Sequence, residues 1–269
     1  MKIYLHTIAL EPARWTPQRV SQTLPVLLPR IAEAGYHEVE VFEPHLTSET
    51  VSEEIRDAFA GNGIAPIILS SYLNLNPTAT TDAQVESLAD QVAERIQFYG
   101  FQKIRLFPGA GMKPDDADGV RALRERLQRV AARIPNTEIL LETHDGSVAD
   151  DPHVLVQLVE EINNPQVGLL FQPTFFTDVD VIREQFRLEK PYIRHLHLQN
   201  RKPDVSFETM EAGVVPWGEL LSGIGDGVES TLEFVPAGIC SVDSFDIEKT
   251  LEQVESDTAY VRRLLAAGA

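Results

Sequence analysis

The sequence has a single cysteine, Cys240, in 269 residues, so no disulfide can form within the chain. That excludes a small secreted scaffold stapled by disulfides and fits a reducing compartment. A small buried thiol is the ordinary role for such a residue. No apolar run reaches the ~20 residues needed to cross a bilayer. The N-terminal MKIYLHTIALEPARW has no signal-peptide cleavage pattern. The protein is therefore read as soluble and cytoplasmic. Positive charge is scarce as well: 23 Lys plus Arg stand against 41 Asp plus Glu, a formal net charge of −18. Such a surface repels phosphate backbones and anionic lipid, so neither nucleic acid nor membrane is expected as a partner. A pocket can still be locally positive, which leaves an anionic small substrate open. Glycine is missing from one informative place. The first strand candidate, KIYLHT, runs into IALEPARW, where a dinucleotide-binding sheet would have a glycine-rich phosphate loop.

Hydrophobic residues make up 43% of the chain, enough for a sizeable core and against global disorder. Short β-rich runs alternate with longer helical ones. Strands are expected at 2–7, 37–42, 64–71, 101–109, 137–144, 166–173, 192–200 and 228–236. Helices are expected at 19–35, 48–63, 81–100, 115–135, 151–165, 177–191, 217–225 and 244–265. Thr81 is placed to cap the third helix and Gly100 to close it; Pro25 and Pro29 interrupt the first. Strand-then-helix alternation implies a parallel sheet, and ~250 residues is the size of a (β/α)8 barrel. No linker or composition shift divides the chain. A single α/β TIM-barrel domain over 1–269 is expected, with 203–216 as its one long irregular segment.

In such a barrel the chemistry sits at the C-terminal ends of the strands. Side chains alternate along a strand, so residues i and i+2 share a face. ILLETHDG puts Leu140, Glu142 and His144 together, and VGLLFQP ends near Gln172. RHLHLQN aligns His195, His197 and Gln199, and TLEFVP aligns Thr231 with Glu233. A charge at the last buried position of a strand is costly unless it is paired or binds a metal. Taken singly, Glu142 and Glu233 read as rim carboxylates, His197 as a satisfied core histidine and Gln172 as a capping amide. Yet all four recur at one height on adjacent strands, which lie ~4.8 Å apart. Two carboxylates, an amide oxygen and an imidazole suit Mn2+ or Mg2+, with Co2+ or Zn2+ as substitutes. His6, Arg105 and His144 are candidate substrate contacts near the strand tops. Arg201 and Lys202 could attract a phosphate or carboxylate, or form a solvated loop pair. Trp15 and Trp217 could wall the pocket or pack outside it. Glu40, Glu43, Ser70 and Tyr72 read as structural hydrogen-bonding residues, and His195 as a core histidine.

These motifs resemble those of the xylose-isomerase-like TIM barrels, a family of sugar-phosphate isomerases and epimerases, ketose 3-epimerases, hydroxypyruvate isomerases and inosose dehydratases. AGYHEVEVF (34–42) is similar to the family's second strand, LLETHDG to its fifth-strand Glu-x-His and VGLLFQPTFF to its sixth-strand Asp-Pro segment. RHLHLQN is similar to its seventh strand, and LEF to its eighth-strand glutamate. The resemblance implies that Glu142, Gln172, His197 and Glu233 hold a divalent ion. It also implies that Glu142 and Glu233 act as acid and base on opposite faces of the substrate. They would exchange a proton next to a carbonyl while the ion stabilises the enediolate. The expected protein is a metal-dependent isomerase or epimerase of carbohydrate metabolism, acting on a small polyol, ketose or keto acid. Dehydration of a keto-inositol would use the same proton abstraction, and a homo-oligomer is the family's expectation. The chain departs from the pattern at Gln172, where the family has Asp; one negative charge is lost and metal affinity should fall. It departs again at Phe175 and at Gln199-Asn200. Two other functions stay open: a metal-poor, non-catalytic binding barrel, and an apurinic-site endonuclease. Against the second stand the charge of −18 and the lack of histidine in IAPIILSS and KIRLFPG.

Overall fold

In the computed structural model the eight expected strands close into one parallel barrel. The structure describes residues 1–46, 51–176, 178–225 and 227–268. The strands are β1 (Ile3–His6), β2 (Glu38–Phe42), β3 (Ala65–Ser70), β4 (Lys103–Leu106), β5 (Glu138–Glu142), β6 (Val167–Phe171), β7 (Ile193–Leu198) and β8 (Glu229–Leu232). They pair in chain order, and β1 closes the ring on β8, with Ile3 opposite Ser230 and Leu5 opposite Leu232. Between and after them run α1 (Leu24–Glu33), α2 (Glu53–Gly61), α3 (Asp82–Tyr99), α4 (Ala117–Arg133), α5 (Pro152–Ile162), α6 (Val179–Glu189), α7 (Trp217–Ser222) and α8 (Ile247–Gly268). Thr81 and Gln84 form a reciprocal capping box on α3, and Gly100 ends it at φ 83°.

Each strand is shorter than the apolar pattern predicts, because the ladder ends where the inward polar residues begin. β5 stops at Glu142, β6 at Phe171, β7 at Leu198 and β8 at Leu232. The first helix starts at Leu24, not at residue 19. Pro25 falls in its first turn, where a missing N–H is no loss, so residues before Thr23 are free to form a loop. The second helix begins at Glu53, capped by Ser52; expected positions 48–50 lie outside the described residues, as does 177 before the sixth. The last helix begins at Ile247, because Cys240–Ser241 and Ser244–Phe245 pair as a small antiparallel ladder. Nor is 203–216 wholly irregular: Phe207–Glu208 pairs with Asn200–Arg201 just past β7.

Outward residues such as Val39, Val41, Leu69, Ile104, Leu141 and Leu169 join the helices in the main core. Each fully buried aliphatic side chain there contributes ~1.5–3 kcal/mol. Inside the barrel, Tyr4, Ile68, Leu140 and Leu170 make a separate apolar plug. His195 belongs to that layer: it stacks on Tyr4 at 5.8 Å and bonds Thr231 Oγ1 at 2.7 Å. Burial pushes its pKa well below the ordinary value, so it is a neutral core histidine. Only above this plug, toward the C-terminal ends, does the interior turn polar. No helix among the described residues is long and apolar enough to cross a membrane.

Candidate active site

Three carboxylates, Glu40, Glu142 and Glu233, are buried at this polar end, and His197 stands among them. Its Nε2 lies 3.0 and 3.1 Å from the two oxygens of Glu40. Its Nδ1 lies 3.4 Å from Glu233 Oε2 and 3.7 Å from Glu142 Oε1, with no hydrogen-bond partner in line. Glu40 therefore aims the ring, turning Nδ1 toward the other two carboxylates. Ser70 Oγ also donates to Glu40. Burial alone would expel the proton from His197, but Glu233, Glu40 and Glu142 together hold its pKa well above the ordinary value. Burial would likewise raise Glu40, yet His197 and His6 carry it well below.

A directed chain of amides links the two outer glutamates. The Arg201 Nε–H donates to Gln199 Oε1 at 3.0 Å, and a guanidinium has no acceptor. Gln199 must then turn its NH2 inward, where it donates to Glu233 Oε2 at 2.7 Å and to Gln172 Oε1. Gln172 in turn donates its Nε2 to Glu142 Oε1 at 2.7 Å. On its far side, Glu142 Oε2 sits 2.9 Å from Arg105 Nε, at ion-pair distance but out of line for a hydrogen bond. Burial would raise Glu142, but Arg105, then His197, hold it at about 2. The indole N–H of Trp217 donates to the Gln199 carbonyl at 2.9 Å, so Trp217 anchors the site from behind and does not wall the pocket.

The expected site residues fall into three groups. Glu142, His197 and Glu233 converge as anticipated. Gln172 joins them, but not as an oxygen ligand: its oxygen is taken by Gln199 and its NH2 faces Glu142. His6, expected to touch substrate, is closed off. Its Nδ1 accepts from the Ile8 N–H at 3.1 Å, Nε2 meets Ser70 Oγ at 3.0 Å, and the side chain is fully buried beneath the site. Burial lowers its pKa to about 3. Arg105, His144 and Arg201 do line the cavity above the floor, which has a volume of about 420 Å³ and is also lined by Arg14, Trp15 and Arg19. Lys202 is the solvated member of its pair, 3.4 Å from Glu208. Cys240 is buried, and burial raises its thiol pKa. Sequence reasoning missed Gln199 as a site residue and took Glu40 as merely structural. Both could have been found by alternation, since Gln199 shares a face with His197 and Glu40 sits between two buried valines.

A divalent ion fits three of the four expected ligands. The buried, unpartnered His197 Nδ1 faces an oxygen of each outer glutamate, a donor set of one nitrogen and two carboxylates suited to such ions. His6, His197 and Glu233 also bring ligand-type atoms within 4.8 Å of one another, but both His6 nitrogens are already engaged.

Residues 28–255 match the family model described as Xylose isomerase-like TIM barrel. The chain belongs to that family. A 3-dehydroshikimate dehydratase of Bacillus anthracis is 23% identical over 179 residues, covering 62% of this chain and 63% of the dehydratase. The match thus spans under two thirds of that relative's length. Among solved xylose-isomerase-like barrels, a probable 3-DHS dehydratase of Bacillus anthracis superposes with a TM-score of 0.72 at 17% identity, over 96% of this chain and 99% of that one. A Mycobacterium smegmatis member in complex with magnesium gives 0.68 at 14% identity, over 100% and 98%. The 3-keto-D-glucoside 4-epimerase of E. coli gives 0.67 at 14% identity, over 98% and 99%. The relatives that the chain resembles are thus named as dehydratases and an epimerase, and an AP endonuclease of Brucella melitensis shares the fold as well.

Proposed function

We propose that this chain is an enzyme that removes a proton from the carbon next to a carbonyl of a small hydroxylated substrate, forming an enolate or enediolate. The observation that carries the reading is the convergence of Glu142, Glu233 and His197 Nδ1, at 3.4 and 3.7 Å, beneath an open cavity. A divalent ion held by Glu142, His197 and Glu233 would supply Lewis-acid polarisation of the carbonyl. The chain's own groups divide the remaining work. Glu233 is the better base: Gln199 holds Oε2, and among the described residues none bonds Oε1. Glu142 has one oxygen on Gln172 and the other beside Arg105, so it is a poorer proton acceptor and a better fixed anchor. His144 stands at the mouth with Nδ1 held 2.7 Å from the Asp145 carbonyl, which leaves Nε2 for the cavity.

This inequality between the glutamates favours one-base chemistry. In a dehydration, Glu233 takes the α-proton, and the C–H electron pair moves into the enolate. The pair then forms a C=C bond as the β-hydroxyl leaves as water, protonated from His144. In an epimerisation, Glu142 would have to return the proton on the opposite face and first give up Arg105. Isomerase or epimerase activity is the second reading, supported by the paired carboxylates themselves. The test is incubation in D2O with ketoses, cyclic keto-polyols and keto acids, followed by NMR and ultraviolet absorbance. Deuterium at the α-carbon together with a new conjugated chromophore is expected. A labelled epimer with its hydroxyl retained selects the second reading. No exchange on any member of the panel sinks both.

A further inference from the structure

The chain has 41 acidic residues, and most of its arginines sit against one of them. Arg30, Arg56, Arg105, Arg126, Arg183 and Arg194, for example, each lie within ion-pair distance of a carboxylate. Three arginines of the cavity break that habit. Among the described residues, Arg14, Arg19 and Arg201 have no carboxylate within 4.0 Å. Aromatic rings stand where contact counter-ions would be expected; Asp145 and Glu233 line the same cavity and act on Arg201 only from beyond ion-pair distance. Arg201 lies 3.6 Å from the centroid of Phe207, with Arg14 6.0 Å from the same ring. Arg19 lies 4.0 Å from the centroid of Tyr72, and Arg105 5.2 Å from it. Ring faces attract cations but do not neutralise them, and withdrawing a charge from water without a counter-charge is costly.

The donors left over face the same space. Among the described residues Arg19 makes no side-chain hydrogen bond, and Arg201 has Nη2 to spare after serving Gln199 and the Val205 carbonyl. Arg14 is only 4% exposed. Its Nη atoms go to the Glu11 carbonyl and to Cys240, while its buried Nε has no partner. Phosphoryl groups are commonly cradled by backbone N–H groups of glycine-rich turns, with a lysine nearby. The cavity lining contains neither glycine nor lysine. A guanidinium fork matches carboxylate and phosphate alike, so it is the lack of a glycine turn and a lysine in the lining that favours the carboxylate.

We propose that this mouth binds the carboxylate of a hydroxylated organic acid through Arg19 and Arg201, with Arg14 behind them, and that this carboxylate is the counter-ion the three residues lack. The assignment rests on the reading that the substrate's reacting carbon lies over Glu233. It makes the substrate an acid held by its carboxylate at the mouth, with its carbonyl end directed to the floor.

Calorimetric titration of the full chain tests it with two matched pairs: quinate against myo-inositol, and 3,4-dihydroxybenzoate against catechol. Inorganic phosphate is the third anion. Each carboxylate is expected to bind at least tenfold tighter than its neutral partner and than phosphate. Arg19→Gln should weaken both carboxylates at least tenfold and leave the neutral ligands unchanged, and Arg19→Lys should restore part of the loss. Arg201→Gln should act in the same direction, but Arg201 also holds Gln199, so Arg19, which bonds nothing on the floor, decides the matter. Equal affinity within both pairs, tighter binding of phosphate, or an unaltered Arg19→Gln variant overturns the proposal. Arg19-dependent carboxylate binding without α-proton exchange on any acid would keep the anion site and sink the enzyme reading. Exchange on neutral ketoses that ignores Arg19 would do the reverse.

Discussion

The floor and the mouth of the barrel treat charge in opposite ways. On the floor, each buried carboxylate has a protein partner: Glu40 has His197 and Ser70, Glu142 has Gln172 and Arg105, Glu233 has Gln199 and His197. At the mouth, three guanidinium groups have rings and carbonyls but no carboxylate. A floor whose carboxylates are each held by at least one partner is preorganised, so these groups need little rearrangement when charge develops on a substrate oxygen. A mouth whose guanidinium groups touch no carboxylate leaves room for something anionic to complete it. The comparison assigns positioning of the reacting atoms to one end and recognition to the other.

Breaking the floor at its free carboxylate should have the largest effect. Glu233→Gln is expected to cut α-proton exchange by roughly 10²–10⁴-fold, read by NMR in D2O, with carboxylate binding at the mouth retained. A smaller loss would move the base elsewhere. Next comes Glu142→Gln, which strands Arg105 in the interior. Leaving one member of a buried pair costs about 3–5 kcal/mol, so thermal unfolding should drop by several degrees; Glu233→Gln, which takes a charge from beside His197 but strands no arginine, should lower it less. The comparison sharpens at Gln172. Replacing it by Asp removes the NH2 that faces Glu142 and adds an oxygen ligand, so Mn2+ affinity measured by calorimetry should rise about tenfold; weaker binding would show that position 172 does not face the ion.

A fourth prediction uses pH against the mouth. Arg14 and Arg19 ride on a loop organised by Glu11, whose carboxylate accepts from the backbone of Ala13, Ser21 and Gln22 and from His45. Burial opposes its charge, but His45 and those N–H groups more than offset this and hold Glu11 at about 2. A depressed carboxylate stabilises the fold fully above its ordinary value near 4.5 and loses that contribution as pH falls toward 2. Unfolding temperature should therefore fall more steeply between these limits in the native chain than in Glu11→Gln. The smallest effect is expected at the junction of the two ends. Trp217→Phe removes the bond to the Gln199 carbonyl, about 1 kcal/mol, and leaves a cavity behind the site, so it should lower stability with little change in exchange.

The barrel was legible because short β-rich runs such as Ile139–Leu141 and Val167–Phe171 alternate with helices that carry start and stop residues such as Thr81 and Gly100. Glu142, His197 and Glu233 were legible for the same reason, since alternation puts them on one face at one height. Other features depend on neighbours far away in the chain. The Glu40–His197 contact joins residues 157 apart, and no local pattern announces it. The direction of the Gln172 amide is set two links away in the bonding chain, by Arg201. Prediction of Gln172 as an oxygen ligand failed because residue type states what an amide can offer, not which end its neighbours leave free. His6 failed similarly: its place at a strand top was right, but Ser70 and the Ile8 N–H had already claimed the ring. Arg14 and Arg19 went unnoticed because the loop after β1 has no periodicity to read.

One backbone detail of that loop has a consequence for evolvability. Arg19 sits at φ 60°, a left-handed conformation that costs a side-chain-bearing residue about 1–2 kcal/mol and that glycine adopts freely. The chain thus tolerates here, as at Asn163 and Val205, a residue its own main chain disfavours. Arg19→Gly should make the fold slightly hardier while blunting its grip on acids. Drift under selection for robustness alone would erase this arginine early, so its retention across close descendants of this chain would be a signature of selection on what the pocket holds.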